Sequence, residues 1–186
     1  MEFLAVLWLP ILLSAVFVFI ASSVMHMLLK YHASGCMKLD AEEGVRAAMK
    51  GQTIKPGFYP IPYCKMEEMG NPEIVAKYDE GPVAYITVLP NGVPSMSKSL
   101  TQWFLFTLGV GVFVAYIAHL TLADGTDYLM AFRVTGAIAT LAYCSGTIMD
   151  SIWMGQPWKS CLKFLFDGLL YGLVTAGTFG WLWPQV

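Results

Sequence analysis

Charge is scarce in this sequence. Asp, Glu, Lys and Arg make up 13% of the 186 residues, about half the share of a soluble domain. By contrast 56% of the residues are hydrophobic, and the mean hydropathy is +0.58. So little charge marks a membrane protein. The formal net charge of −2 leaves no basic face for phosphates, which argues against a nucleic-acid partner. Cysteine is sparse too: Cys36, Cys64, Cys144 and Cys161 form no CxxC pair and no zinc-ligand spacing. A chain rich in spanning helices needs no disulfide scaffold. A phosphate loop, a Gly-x-Ser-x-Gly elbow and a His-Glu-x-x-His helix are missing, as is a Ser/His/Asp set at one depth. Nothing here supports an enzyme, and no cofactor is expected.

What the chain does have is long apolar runs. The most informative is SCLKFLFDGLLYGLVTAGTFGWLWPQV, residues 160–186, long enough to cross a bilayer with about 20 residues. Gly168, Gly172, Ala176 and Gly180 recur every fourth residue and so form one smooth ridge along a helix. Lipid supplies no hydrophobic drive for helices to associate, so small-residue ridges matter by letting backbones approach. This helix is expected to be the packing centre of a bundle. Asp167 stands just before the ridge, where an ionisable group is costly unless it faces protein or water.

Residues 3–29 form a first apolar run, too long for the h-region of a cleaved signal peptide and read as a retained helix with Pro10 near its start. Residues 30–100 differ. They hold eight of the eleven Lys and Arg, eight of the thirteen acids and seven of the ten prolines. Asp40 with Glu43 has the form of a capping box, stopped at Gly51. Asn71-Pro72-Glu73 starts a second short helix that ends near Gly81. The β-prone runs Gly57–Tyr63 and Val83–Leu89 follow these helices. Two further spans, 101–122 and 128–148, are joined by Ala123-Asp124-Gly125-Thr126-Asp127, short enough to force an antiparallel hairpin. A loop containing Pro157 leads to the last helix, 160–183. The expected fold class is an all-α membrane protein: four transmembrane helices with a small α+β cytoplasmic insert between helices 1 and 2.

Orientation follows from the basic residues. Lys30, Lys38, Lys98 and Lys159 lie near helix ends on the side of the insert, while the other side has Glu2, Asp124 and Asp127. The positive-inside rule then makes 30–100 cytoplasmic and both termini periplasmic in a bacterial inner membrane. Trp8, Trp181 and Trp183 mark one interface, and Trp103, Trp153 and Trp158 the other.

Three constellations bear on chemistry. Met25, His26, Met27, His32, Cys36 and Met37 gather soft and borderline metal ligands at the inner end of the first helix. Residues 25, 26 and 27 point to different helix faces and cannot all converge, and methionine is an ordinary core filler, so no metal is assigned. If one binds, His26, His32 and Cys36 are its candidates. Within one chain a bis-histidine haem on His26 and His119 is excluded by depth, the two lying ~20 Å or more apart along the membrane normal; a haem with one ligand from a partner stays open. Asp167 is expected to lock the bundle, with Lys163 one turn earlier as its partner, or else to relay protons or ions. Arg133 is expected to snorkel to Asp127 or to lipid phosphate.

The strings PILLSAVFVFIASSVMHMLLKYH, GPVAYITVLPNGVPSM, SLTQWFLF and FDGLLYGLVTAGTFGWLWP resemble a family of small uncharacterised bacterial inner-membrane proteins. The resemblance runs over most of the chain and implies four spans with a cytoplasmic insert. It carries over no activity, cofactor or catalytic residue. The function expected from the sequence is a non-catalytic accessory or scaffold subunit of a larger bacterial energy-converting membrane complex, respiratory or photosynthetic. Its partners would be other integral membrane subunits and the lipid bilayer. Two alternatives stand beside it: a small proton- or ion-coupled transporter using Asp167, and metal or redox handling by the Met25/His26/His32/Cys36 cluster.

Overall fold

A computed structural model describes residues 2–29, 31–35 and 37–185. In chain order the elements are α1 (Glu2–Ser23), a π-helical turn (Val24–Leu28), a 3-10 turn (Tyr31–Gly35), α2 (Glu42–Gly51), β1 (Gly57–Ile61), a 3-10 turn (Met66–Glu68), α3 (Pro72–Glu80), β2 (Ala84–Val88), α4 (Met96–Thr121), α5 (Tyr128–Trp153) and α6 (Trp158–Trp181). Among the described residues four helical stretches are long and apolar enough to cross a membrane: Glu2–Leu28, Met96–Thr121, Tyr128–Trp153 and Trp158–Trp181. This is the architecture of a multi-pass membrane protein with a small two-stranded sheet between the first two spans. Without water at membrane depth the backbone must bond to itself, and a helix does that within one segment.

The chain divides into two compact units, 37–94 and the remainder. In the larger unit α1 packs on α4 and α6, and α5 packs on α4 and α6, closing a four-helix ring. Leu7, Ile11, Val114, Ala115, Ala139 and Phe179 are buried in its core. The ridge of α6 faces α5. A Cβ added at Gly168 would lie 2.6 Å from Cys144 Sγ, one at Gly172 3.0 Å from Thr140 Cα, and one at Gly180 2.9 Å from the Tyr128 ring. The Ala176 Cβ stands 2.9 Å from where Gly136 would carry its own. Residues 168, 172 and 176 thus oppose 144, 140 and 136, the register of two antiparallel helices meeting ridge to ridge. Two buried threonines bond within their own helix: Thr135 donates to Ala131 O at 2.7 Å and Thr175 to Tyr171 O at 2.9 Å.

Several local expectations change. Pro10 lies inside α1, and the backbone leaves helical geometry at Leu7, where relief of the ring's clash with the preceding turn falls. Asp40 does not cap α2, whose N-cap is Ala41 without a side-chain bond; Glu43 pairs with Arg46 at 2.7 Å instead. Trp8, Trp153, Trp158 and Trp181 face outward, but Trp183 is buried and donates to Ala123 O at 3.0 Å. Trp103 is half-buried and donates to Ser22 Oγ at 2.8 Å, tying α4 to α1.

In the smaller unit β1 and β2 pair antiparallel, Gly57 opposite Val88 through Ile61 opposite Ala84. Asn71 caps α3 by accepting from Glu73 N at 3.0 Å, with Pro72 as the first helical residue. Tyr78 of α3 donates to Pro62 O at 3.0 Å, which ties helix to strand end.

Candidate metal centre

The site begins with a break in helical geometry. At the end of α1 the chain widens into the π turn, with Leu29 N bonded to Val24 O at 3.2 Å. Such wide turns recur at functional sites because they re-aim side chains. Here Met25 points into the core, Met27 is exposed, and the His26 ring turns toward α6. The 3-10 turn that follows sets His32 beside it, with ring centroids 4.5 Å apart and planes 29° apart.

The third group comes from α6. Because the ridge fixes the rotation of that helix against α5, the adjacent stripe, Asp167 and Tyr171, faces inward. Asp167 is 2% exposed. Its Oδ2 stands 2.7 Å from His32 Nε2 and 3.5 Å from His26 Nε2. Its Oδ1 is buried and has no hydrogen-bond partner among the described residues. The Tyr171 hydroxyl lies 3.4 Å from His26 Nε2. Lys163, expected to pair with Asp167, sends its Nζ to Tyr31 O at 2.8 Å, so the carboxylate is met by the two imidazoles.

His26, His32 and Asp167 offer three ligand atoms within 4.8 Å of one another. An ion bonded at 2.0–2.1 Å in tetrahedral geometry holds its ligands about 3.3 Å apart; the two distances from Asp167 Oδ2, 2.7 and 3.5 Å, lie on either side of that value. Two imidazoles and one carboxylate suit Zn2+ or non-haem Fe2+. His32 lies outside the spans; burial first, then the charges of His26 and Lys163, hold its pKa below the usual 6.5. It is therefore neutral near pH 7, the form that binds a metal.

Beside the centre, α1, α4, α5 and α6 enclose a cavity of about 840 Å³. His26, Asp167 and Tyr171 line it beside the three-residue cluster, Ser99, Thr147, Asp150 and Gln156 add further polar groups, and Trp103, Phe106 and Tyr143 contribute aromatic wall. All these residues come from the end of α1, the start of α4, the end of α5 and the first half of α6, hence from one end of the bundle.

Of the residues singled out in the sequence, His26, His32 and Asp167 come together. Met25 and Met27 do not join them, and Cys36 lies outside the described residues. Gly168, Gly172, Ala176 and Gly180 pack within the chain. His119 packs against Phe3 at the far end of α1, ring centroids 6.3 Å apart. It is a helix length of residues 3 to 26 from His26, about 35 Å at 1.5 Å per residue. Arg133 lines a shallow groove between α5 and α6 with Thr140 and Leu173. Among the described residues it makes no ion pair, and Asp127 caps α5 by accepting from Leu129 N and Met130 N at 3.0 and 3.2 Å. Tyr171 and Trp103 were not singled out for this site. The spacing of Tyr171 four residues after Asp167 was the one available signal. Comparison of the chain with protein-family models, curated proteins and solved structures finds no match.

Proposed function

We propose that this is a metal-handling membrane protein whose bundle holds one divalent transition-metal ion, Zn2+ or Fe2+, on His26, His32 and Asp167. The observation that carries the proposal is the Asp167 carboxylate: almost fully buried, one oxygen facing two Nε2 atoms and the other without a hydrogen-bond partner among the described residues. A buried carboxylate with an orphaned oxygen calls for a bound cation or water, and burial is sustained only when the charge is compensated. An ion at this point also explains why the imidazoles converge on one atom. The ligands are borderline and hard rather than soft, so Zn2+ or Fe2+ is favoured over Cu+. An accessory-subunit role gains nothing from the glycine ridge, which is occupied by α5. Under the positive-inside assignment the centre lies in the cytoplasmic half of a bacterial inner membrane.

Loading the purified, metal-stripped protein with Co2+, a spectroscopic stand-in for Zn2+, tests this. The expected result is one ion per chain with visible ligand-field bands, lost in Asp167→Asn and His32→Gln. Failure of the unmodified protein to take up Co2+, Zn2+ or Fe2+ above the level of those variants would overturn the proposal.

A further inference from the structure

The cavity beside the metal centre has a composition that selects its occupant. Among its described lining residues the charged groups are Asp150 and Asp167, with no Lys or Arg. With a divalent ion in place, the formal charges of the ion and the two lining carboxylates cancel, and the nearby Lys163 ammonium, outside the lining, is held on Tyr31 O. A carboxylate-headed lipid or an alkyl ammonium would then bring an uncompensated charge into a poorly hydrated space, which is costly. An uncharged molecule would not.

Shape and polarity narrow the class further. Trp103, Phe106, Tyr143 and Tyr171 form a continuous aromatic wall: Trp103 lies 5.7 Å from both Phe106 and Tyr171, and Tyr143 lies 5.6 Å from Tyr171. Such a wall receives a planar ring by offset or edge contact. The part of the cavity beside His26 and Asp167 carries the Tyr171 hydroxyl and would carry the ion, a donor and a Lewis acid that both seek an oxygen acceptor. Leu100, Phe106 and Phe164 line the cavity and are also 40%, 47% and 42% exposed, so the wall opens sideways onto the surface that lipid would cover. Its volume of about 840 Å³ lies within the range of small-molecule sites.

We infer that this cavity binds an uncharged, membrane-soluble quinone that enters from the bilayer, with a ring carbonyl directed at the metal and the Tyr171 hydroxyl. The inference rests on the metal proposal, since the charge balance and one of the two oxygen-seeking groups come from the ion.

The test uses the full chain in detergent, with its metal content measured on every sample. Menadione is titrated while quenching of tryptophan fluorescence is followed. Saturable quenching with one site per chain is expected, most of its amplitude lost in Trp103→Phe. Affinity should fall by about tenfold or more on stripping the metal, and by several-fold in Tyr171→Phe, each removing one polar contact to the carbonyl. Palmitate or dodecylamine, rather than menadione, occupying the Trp103-dependent site would overturn the quinone assignment. Equal menadione affinity with and without metal would overturn the placement of the carbonyl. A chain that keeps its metal yet shows no saturable quenching refutes this inference alone, whereas a chain that takes up no metal refutes the centre and the inference with it.

Discussion

Replacing Gly172 by leucine tests the packing on which the site depends. A Cβ at residue 172 would lie 3.0 Å from the Thr140 Cα, backbone that cannot rotate away as a side-chain tip can. The neighbouring positions are as tight, with Gly168 against Tyr143 and Cys144 and Gly180 against Tyr128. Helices α5 and α6 therefore have to separate or shear over several turns to admit a branched side chain. Overpacking of this kind costs about 1–3 kcal/mol, which for a chain of this size is a fall in Tm of about 2–12 °C. Alanine at the same position adds only the Cβ and should fall at the low end. Leu173→Ile is the control, because Leu173 is 46% exposed on another face and surface changes stay within about 0.5 kcal/mol. Thermal unfolding in a mild detergent, followed by tryptophan fluorescence, measures all three. A Gly172→Leu variant as stable as Leu173→Ile would mean that α5 and α6 do not meet along this ridge.

The metal centre should bind more weakly as the medium becomes acidic. His32 is held below the ordinary 6.5, so the folded chain keeps it neutral there and the effect should appear only as the pH falls below about 6.5; a Co2+ titration at several pH values reads it. Cys36→Ser should leave Co2+ stoichiometry unchanged, since two imidazoles and a carboxylate already supply three ligands; loss of the ion would add Cys36 to the site. Cysteine placed at Gly125, but not at Asp40, should react with a membrane-impermeant thiol reagent added to intact cells, and the opposite pattern would invert the topology.

Periodicity carried the bundle and part of the site. Spans, short connections and the spacing of Gly168, Gly172, Ala176 and Gly180 are properties of single segments, and a helix translates them directly into faces. The ridge fixed which side of α6 meets another helix, though not that the partner would be α5 rather than a second protein. Asp167 stood out because charge is rare in an apolar run. Its partners did not, because His32 lies 135 residues away in sequence and reaches it only through the π turn and the 3-10 turn after α1. Neither turn has a compositional signature. Lys163 was the nearest opposite charge on the helix, yet sequence proximity lost to tertiary contact.

Asp167 separates a structural lock from a metal centre most sharply when stability is measured with and without the ion. As a lock, the carboxylate matters for its contacts with the two histidines. Asparagine keeps an acceptor there and should be mild, whereas Asp167→Leu strands both Nε2 atoms and should cost about 1–3 kcal/mol. Added metal should then change none of the three proteins. As a metal ligand, the carboxylate matters for its charge and for the oxygen that has no partner among the described residues. The unmodified chain should gain about 2.7 kcal/mol when Zn2+ is present at a hundred times its Kd, a rise in Tm of about 5–11 °C. Asp167→Asn, which replaces an anionic ligand by a neutral amide, should lose most of that rise while unfolding at nearly the same temperature as the metal-stripped parent. The two accounts agree on leucine and part at asparagine plus zinc. A parent protein whose Tm does not respond to Zn2+ or Fe2+ would leave Asp167 as a lock, with its buried oxygen met by water.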